Sequence, residues 1–169
     1  MPAQSDRPVV IASNRGPVGY HEAPDGSLVA RRGGGGLVSG LAPLLDEGRA
    51  TWIAAALSDA DRRAARERRP ADDGLPMELL DLDEEDHRLA YDVISNETLW
   101  FVHHGLFDLT REPAFDDDWW DAWAAYRRVN ERFATAVCEH SPKDAAVLVQ
   151  DYHLTLLAPQ VARERPDLS

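Results

Sequence analysis

Arg31-Arg32 runs into Gly33-Gly34-Gly35-Gly36 and then into the apolar Leu37-Val38-Ser39-Gly40-Leu41, a combination able to hold an anion. Glycine lets a backbone approach a ligand closely, and the unpaired N–H groups of a first helical turn, backed by the helix dipole, attract negative charge. The two arginines would add to it. A phosphate cradle and a glycine-rich surface loop both fit the run taken alone. Arg15 closes Ser13-Asn14-Arg15 directly after an apolar stretch, Val9 to Ala12. Its guanidinium fork suits a phosphate, and the alternative is an ordinary surface arginine. Asp151-Tyr152-His153 follows a second apolar stretch, Ala145 to Gln150. A carboxylate there can accept hydrogen bonds from sugar hydroxyls, while the histidine either does polar work or caps the next helix. Tyr91 and Trp100 are core residues or, in the chemical reading, a phenol for phosphate and an indole face for a sugar ring.

Other chemistry finds less support. His103-His104 are neighbours, which on a strand face opposite sides and make a poor metal pair, so no metal site is expected. Roughly twenty residues separate the first strand from the glycines, whereas a dinucleotide-binding turn follows its strand at once. NAD is therefore discounted and no cofactor is expected. The single Cys138 has no partner for a disulfide or a metal cluster. At 169 residues with a net charge of −12, the chain has the length of one domain and disfavours nucleic acid and anionic membranes as partners. No apolar run reaches the ~20 residues that cross a bilayer, and no signal sequence is evident, so a cytoplasmic location is the default expectation.

These residues need a scaffold. Val9–Ala12, Ala50–Leu57, Met77–Leu82 and Ala145–Gln150 have the length and composition of buried strands, the last expected to be the best buried. Tyr20–Val29, with Pro24-Asp25-Gly26 as its turn, reads as a small hairpin or as a loop laid over the site. Leu37, Leu41, Leu44 and Leu45 have helical spacing up to Asp46-Glu47-Gly48. Asp61–Arg69 reads as a charged, solvated helix without a function. Asp83-Glu84-Glu85-Asp86 opens a helix, and Leu89–Phe101 continues it before giving way to an apolar turn. The clearest helix starts at Asp116 and carries Trp119, Trp123, Tyr126, Phe133 and Val137 as a core stripe until Ser141-Pro142. A last helix runs from Thr155 to Arg163. The alternation predicts an α/β fold, Rossmann-like, in three α/β/α layers around a mostly parallel sheet. Arg15, the glycines and Asp151 would gather at the carboxyl edge of that sheet, where such folds bind ligands.

Four pieces in order resemble the trehalose-6-phosphate synthases, retaining glycosyltransferases of the GT-B fold: Ser13-Asn14-Arg15; Gly35-Gly36-Leu37; Tyr91 with Ser95-Asn96 and Leu99-Trp100; and Asp151-Tyr152-His153-Leu154. Trp123, Tyr126, Val129 and Asn130 are similar to the helix that precedes the Asp-Tyr-His-Leu strand in that family. The resemblance runs from about Val9 to the last residue. It implies that Arg15 and Tyr91 bind the phosphate of glucose 6-phosphate, that Trp100 borders the acceptor sugar, and that Asp151 holds its hydroxyls. Gly35 and Gly36 would meet the diphosphate of a nucleoside-diphosphate glucose such as UDP-glucose. The implied reaction gives trehalose 6-phosphate with retention. No catalytic nucleophile is assigned, and neither nucleotide identity nor a homo-oligomer is decided by these residues.

Three departures qualify what the resemblance implies. The family continues past the position of Ser169 into a second Rossmann-like domain, so residues 1–169 are expected to be an incomplete N-terminal, acceptor-side domain without the C-terminal nucleotide-sugar domain. Alone it is expected to be inactive, with an exposed sheet edge. Ala55 stands where the family commonly has a tryptophan, which leaves room for a related glucosylglycerol-phosphate synthase or a pseudo-glycosyltransferase with another acceptor. Gln150 replaces a frequent histidine, a mild change. A non-catalytic sugar-phosphate binding module is the reading from a different class.

Overall fold

In the apolar strands the side chains must alternate between two faces, and both faces of this sheet are covered. The computed structural model describes residues 7–34, 36, 38–41, 50–69, 76–106 and 114–169. Val9–Ser13 (β1), Ala50–Ala55 (β4), Met77–Leu80 (β5) and Ala146–Val149 (β6) form one sheet in the order β5-β4-β1-β6. Every pairing in it is parallel, with Val10 opposite Thr51 and Val147. Val18–Glu22 (β2) and Leu28–Arg32 (β3) form a separate antiparallel hairpin. The α/β class expected from the sequence is the one observed.

Val10, Ala12, Ile53, Ala55 and Leu80 point to one face and pack on Ala90, Ile94, Tyr126, Phe133, Val137 and Leu157. Ile11, Ala50, Trp52 and Ala54 point to the other, where Val38 and Leu41 lie against them. Of the helix expected through Leu37, Leu41, Leu44 and Leu45, Gly36 and residues 38–41 are helical, whereas Leu37, Leu44, Leu45 and Asp46-Glu47-Gly48 lie outside the described residues. On the first face sit Glu84–Arg88 (α2), Asp117–His140 (α4) and Leu157–Glu164 (α5). The long helix α4 starts where the Asp116 carboxylate accepts from Trp119 N and stops at Ser141, because the following proline disfavours helical geometry before it.

Several local expectations change. The hairpin is longer than Tyr20–Val29, so Arg31 and Arg32 end a strand. Its turn is closed by Gly26 at φ +81° and by the Asp25 carboxylate, which accepts from Ser27 N at 2.9 Å. Met77–Leu80 stops two residues short of Leu82, which turns into the core before Asp83 caps α2. The apolar turn expected near Phe101 is absent: Leu89–Leu99 is a π-helix that runs directly into Trp100–His103 (α3). Ser95 Oγ donates to Ala90 O at 2.9 Å and Thr98 Oγ1 to Val93 O at 3.0 Å, each five residues back, so the wide turns are braced by side chains as well as backbone. The strand β6 is half-buried along its length, not the best-buried one, because it has a single strand neighbour. Beside it, Ser169 N donates to Ala145 O and its carbonyl accepts from Val147 N. The helix expected from Thr155 begins at Leu157, since Tyr152–Leu154 is a 3₁₀ turn.

Asp59–Arg66 (α1) is not the idle surface segment its charges predict. Ser58 caps it in a reciprocal box with Asp61. Asp61 is buried, and its carboxylate accepts from Tyr20 N at 2.7 Å, Ser58 N at 3.1 Å and Leu57 N at 3.2 Å. One side chain thus ties the hairpin to the end of β4.

Candidate functional site

The carboxyl ends of β1, β4 and β6 converge, and the polar residues after them form the site. Trp52 Nε1 donates to Ser13 Oγ at 2.7 Å, and Ser13 Oγ donates to Arg15 O at 2.7 Å. Trp52 and Ser13 are buried, so this relay fixes the backbone that carries Arg15 while the guanidinium stays exposed. Arg15 lines a cavity of about 500 Å³ with His21, Arg31, Arg32, Gly33, Gly34, Ala55 and Ser58. Gly33 N donates to Pro17 O at 2.7 Å, which holds the start of the glycine run over the loop after β1. A Cβ at Gly34 or Gly36 would meet nothing within 4 Å, so that backbone is open to an approaching group. Gly36 is exposed in the first described helical turn; Gly35, the other expected diphosphate contact, lies outside the described residues.

Next to Arg15 begins a chain of contacts that crosses to β6. Asn14 Oδ1 lies 2.8 Å from His87 Nε2, and an amide oxygen accepts, so the ring nitrogen donates. The His87 ring stacks on Tyr91 with centroids 6.0 Å apart, Tyr91 on His153 at 5.3 Å, His153 on Tyr152 at 4.7 Å and Tyr152 on His103 at 5.9 Å. His153 Nδ1 lies 3.5 Å from Asp151 Oδ2. Arg15, Tyr91 and Asp151, three of the four residues expected to hold an acceptor, are therefore linked through Asn14, which precedes Arg15, and two histidines. Trp100 is joined to its own helix, stacking on His104 at 4.2 Å and on Phe101 at 4.9 Å. The neighbours His103 and His104 turn to different partners, Tyr152 and Trp100.

Burial pushes the His87 imidazole below its usual value, with the Arg62 charge next and Asp92 pulling the other way. His153 is lowered by burial and opposed by Asp151. Both rings are thus held toward the neutral form, and His153 Nε2 makes no hydrogen bond among the described residues. Burial, then the Asp151 and Tyr91 charges, raise the Tyr152 phenol, which stays protonated as a donor.

Asp151 has φ +71° and ψ 167°, a region in which essentially only glycine is at ease. Its Oδ1 accepts from Tyr152 N at 2.7 Å, and its side chain remains about half exposed at 51%. Such a strained carboxylate at a sheet edge is poised to accept hydrogen bonds from a ligand. His87 and Asp61 hold positions that sequence reasoning missed, and His153, expected to do polar work or cap the next helix, packs between Tyr91 and Tyr152. The Ser58-x-x-Asp61 pattern was a readable sign of the capping box, and His87 precedes Tyr91 by one helical turn.

Among described residues, no helix is long and apolar enough to cross a membrane. Comparison with known proteins places these features in context. The sequence model of glycosyltransferase family 20 matches residues 7–168. The trehalose-6-phosphate synthase of Mycolicibacterium smegmatis is 37% identical over 161 residues, covering 95% of this chain and 30% of that protein. The chain thus spans about 30% of the length of the curated relatives it matches. The α,α-trehalose-phosphate synthase (UDP-forming) of Burkholderia vietnamiensis has a similar structure, with a TM-score of 0.66 and 28% identity over 93% of this chain and 31% of that one. The enzyme from Burkholderia xenovorans, solved in complex with glucose-6-phosphate, shares the fold at a TM-score of 0.56 and 23% identity, over 92% of this chain and 30% of that one.

Proposed function

We propose, from the premise that this chain belongs to glycosyltransferase family 20, that it is the acceptor side of an α,α-trehalose-phosphate synthase. The reaction transfers glucose from a nucleoside-diphosphate glucose to glucose 6-phosphate with retention, and residues 1–169 are the N-terminal Rossmann-like part that receives the acceptor. The observation that carries this reading is the convergence at the sheet edge: Arg15 on its Trp52–Ser13 relay, linked by Asn14, His87 and His153 to Tyr91 and the strained Asp151.

In this reading Arg15 and the Tyr91 hydroxyl take the phosphate, Asp151 accepts from sugar hydroxyls, and Trp100 borders the ring. Gly35 and Gly36 offer backbone N–H groups to the donor diphosphate. Catalysis rests largely on positioning and on stabilising the leaving phosphate, and no protein nucleophile is assigned. The test is a calorimetric titration with glucose 6-phosphate, alongside free glucose and the Arg15→Ala variant. Saturable binding that requires both phosphate and Arg15, with a loss of at least ~10-fold on substitution, supports the reading; charge-assisted hydrogen bonds are worth about 1.5–3 kcal/mol. A folded chain that binds glucose as well as glucose 6-phosphate overturns it.

Ala55 favours one second reading. It borders the cavity beside Arg15, where the resembling family commonly has a tryptophan. A different phosphorylated acceptor, such as glycerol 3-phosphate in a glucosylglycerol-phosphate synthase, would then bind in preference, which competition in the same titration decides.

A further inference from the structure

The turn after β6 is gripped from below by two buried polar residues of α4. Tyr126 and Asn130 lie four residues apart on one face of that helix, both fully buried in an otherwise apolar stripe that includes Ala122, Val129, Phe133 and Val137. Buried polar groups must find partners, and apart from a bond of Asn130 Nδ2 to Tyr126 O at 2.9 Å within the helix, these find theirs in a single turn. Tyr126 Oη donates to Tyr152 O at 2.7 Å, lies 2.8 Å from Thr155 Oγ1, and accepts from Thr155 N at 3.1 Å. Asn130 Nδ2 donates to His153 O at 3.3 Å, and Asn130 Oδ1 accepts from Leu156 N at 3.1 Å. On the other side of Asp151, Gln150 N donates to Ala12 O at 2.9 Å, continuing the sheet ladder. Asp151 is the one residue between these two anchors, and it has the glycine-like φ of +71°.

We propose that Tyr126 and Asn130 are positioning residues that hold Asp151 in this strained conformation so that its carboxylate faces the acceptor. Packing alone would be served by phenylalanine and leucine at these positions. The hydroxyl and the amide fix where residues 152–156 run, and with the ladder they leave Asp151 no relaxed backbone geometry. A free Asp151 would turn to negative φ and carry its carboxylate away from the sheet edge. The proposal rests on the acceptor reading above for what Asp151 binds, but not for the clamp itself.

The test compares the wild-type chain with Tyr126→Phe, which removes one oxygen and no volume, and with Asp151→Gly. By NMR, the wild type shows the strong intraresidue amide–Hα NOE at Asp151 that positive φ produces. In Tyr126→Phe that NOE weakens and the Thr155 amide exchanges at least ~10-fold faster, as expected for the loss of a hydrogen bond of this class. Asp151→Gly raises the melting temperature, because glycine adopts this geometry without strain. In titrations well below the melting temperature, Tyr126→Phe weakens glucose 6-phosphate about tenfold and leaves inorganic phosphate, held at Arg15, unchanged. A purely structural tyrosine would not separate the two ligands. An unchanged NOE, or equal losses for both ligands, overturns the proposal. If the wild type binds no glucose 6-phosphate, the acceptor reading falls, and the NOE and exchange rates still decide the clamp.

Discussion

Each residue at the sheet edge is set by neighbours that are apolar, buried, or both. His87 and His153 illustrate the energetic consequence. Their folded imidazoles are held below the usual value of about 6.5, chiefly by burial. Between that value and the lower folded ones, the unfolded chain binds more protons than the folded chain, so stability rises with pH through this window. The contribution is complete above about pH 7 and is lost as pH falls through the lowered folded values. Urea unfolding at pH 7.5 and pH 5.5 is therefore expected to give a lower midpoint at pH 5.5. His87→Gln is expected to narrow the difference, since glutamine does not titrate; an equal gap in both proteins would show that other groups cause it. Arg15 and Asp151 stood out in the sequence because they follow apolar runs, and Tyr91 through the family resemblance. The contacts that join them were not readable, because positions 14, 87, 91, 151 and 153 meet only after three stretches of chain fold together.

At the scale of elements, the amphipathic spacing of α4 made its helix and its core face readable, and the strand assignments rested on apolar runs of the right length. The π-helix had no such sign. Its apolar positions do not announce a five-residue return, and the hydroxyls of Ser95 and Thr98 that brace it read as ordinary polar residues. The hairpin was ambiguous for a related reason: what holds it in place is a distant carboxylate. Removing that carboxylate in Asp61→Ala strips acceptors from Tyr20 N, Leu57 N and Ser58 N and the capping box from α1. A loss of about 3 kcal/mol in denaturant unfolding is expected from such buried, charge-assisted bonds. The Tyr20 amide should also lose most of its exchange protection, and a variant of unchanged stability would show that packing alone seats the hairpin.

The whole molecule is organised on β1. It pairs with β4 on one side and β6 on the other, and its side chains enter both apolar clusters. The hairpin β2–β3 shares no ladder with this sheet and depends on α1 and a small cluster around Tyr20, Leu28 and Ala64. Native-state hydrogen exchange should therefore show two tiers. The amides of Val10, Ile11 and Ile53 are expected to exchange only through global unfolding, with free energies equal to the denaturant value. Those of Gly19 and Val29 are expected to open at lower cost; identical values across both groups would make the hairpin part of one cooperative unit.

The position of β1 also sets the order of events during synthesis. Arg7, just before that strand, hydrogen-bonds the backbone of Asp144, 137 residues later. A ribosome adding about 5–20 residues per second needs on the order of ten seconds to make that interval. Once β4 has followed, β1 can pair with it on one side only until β6 is made, and an unpaired edge attracts other strands. The segment from Ala146 to Val149 is the one that covers that edge when it emerges.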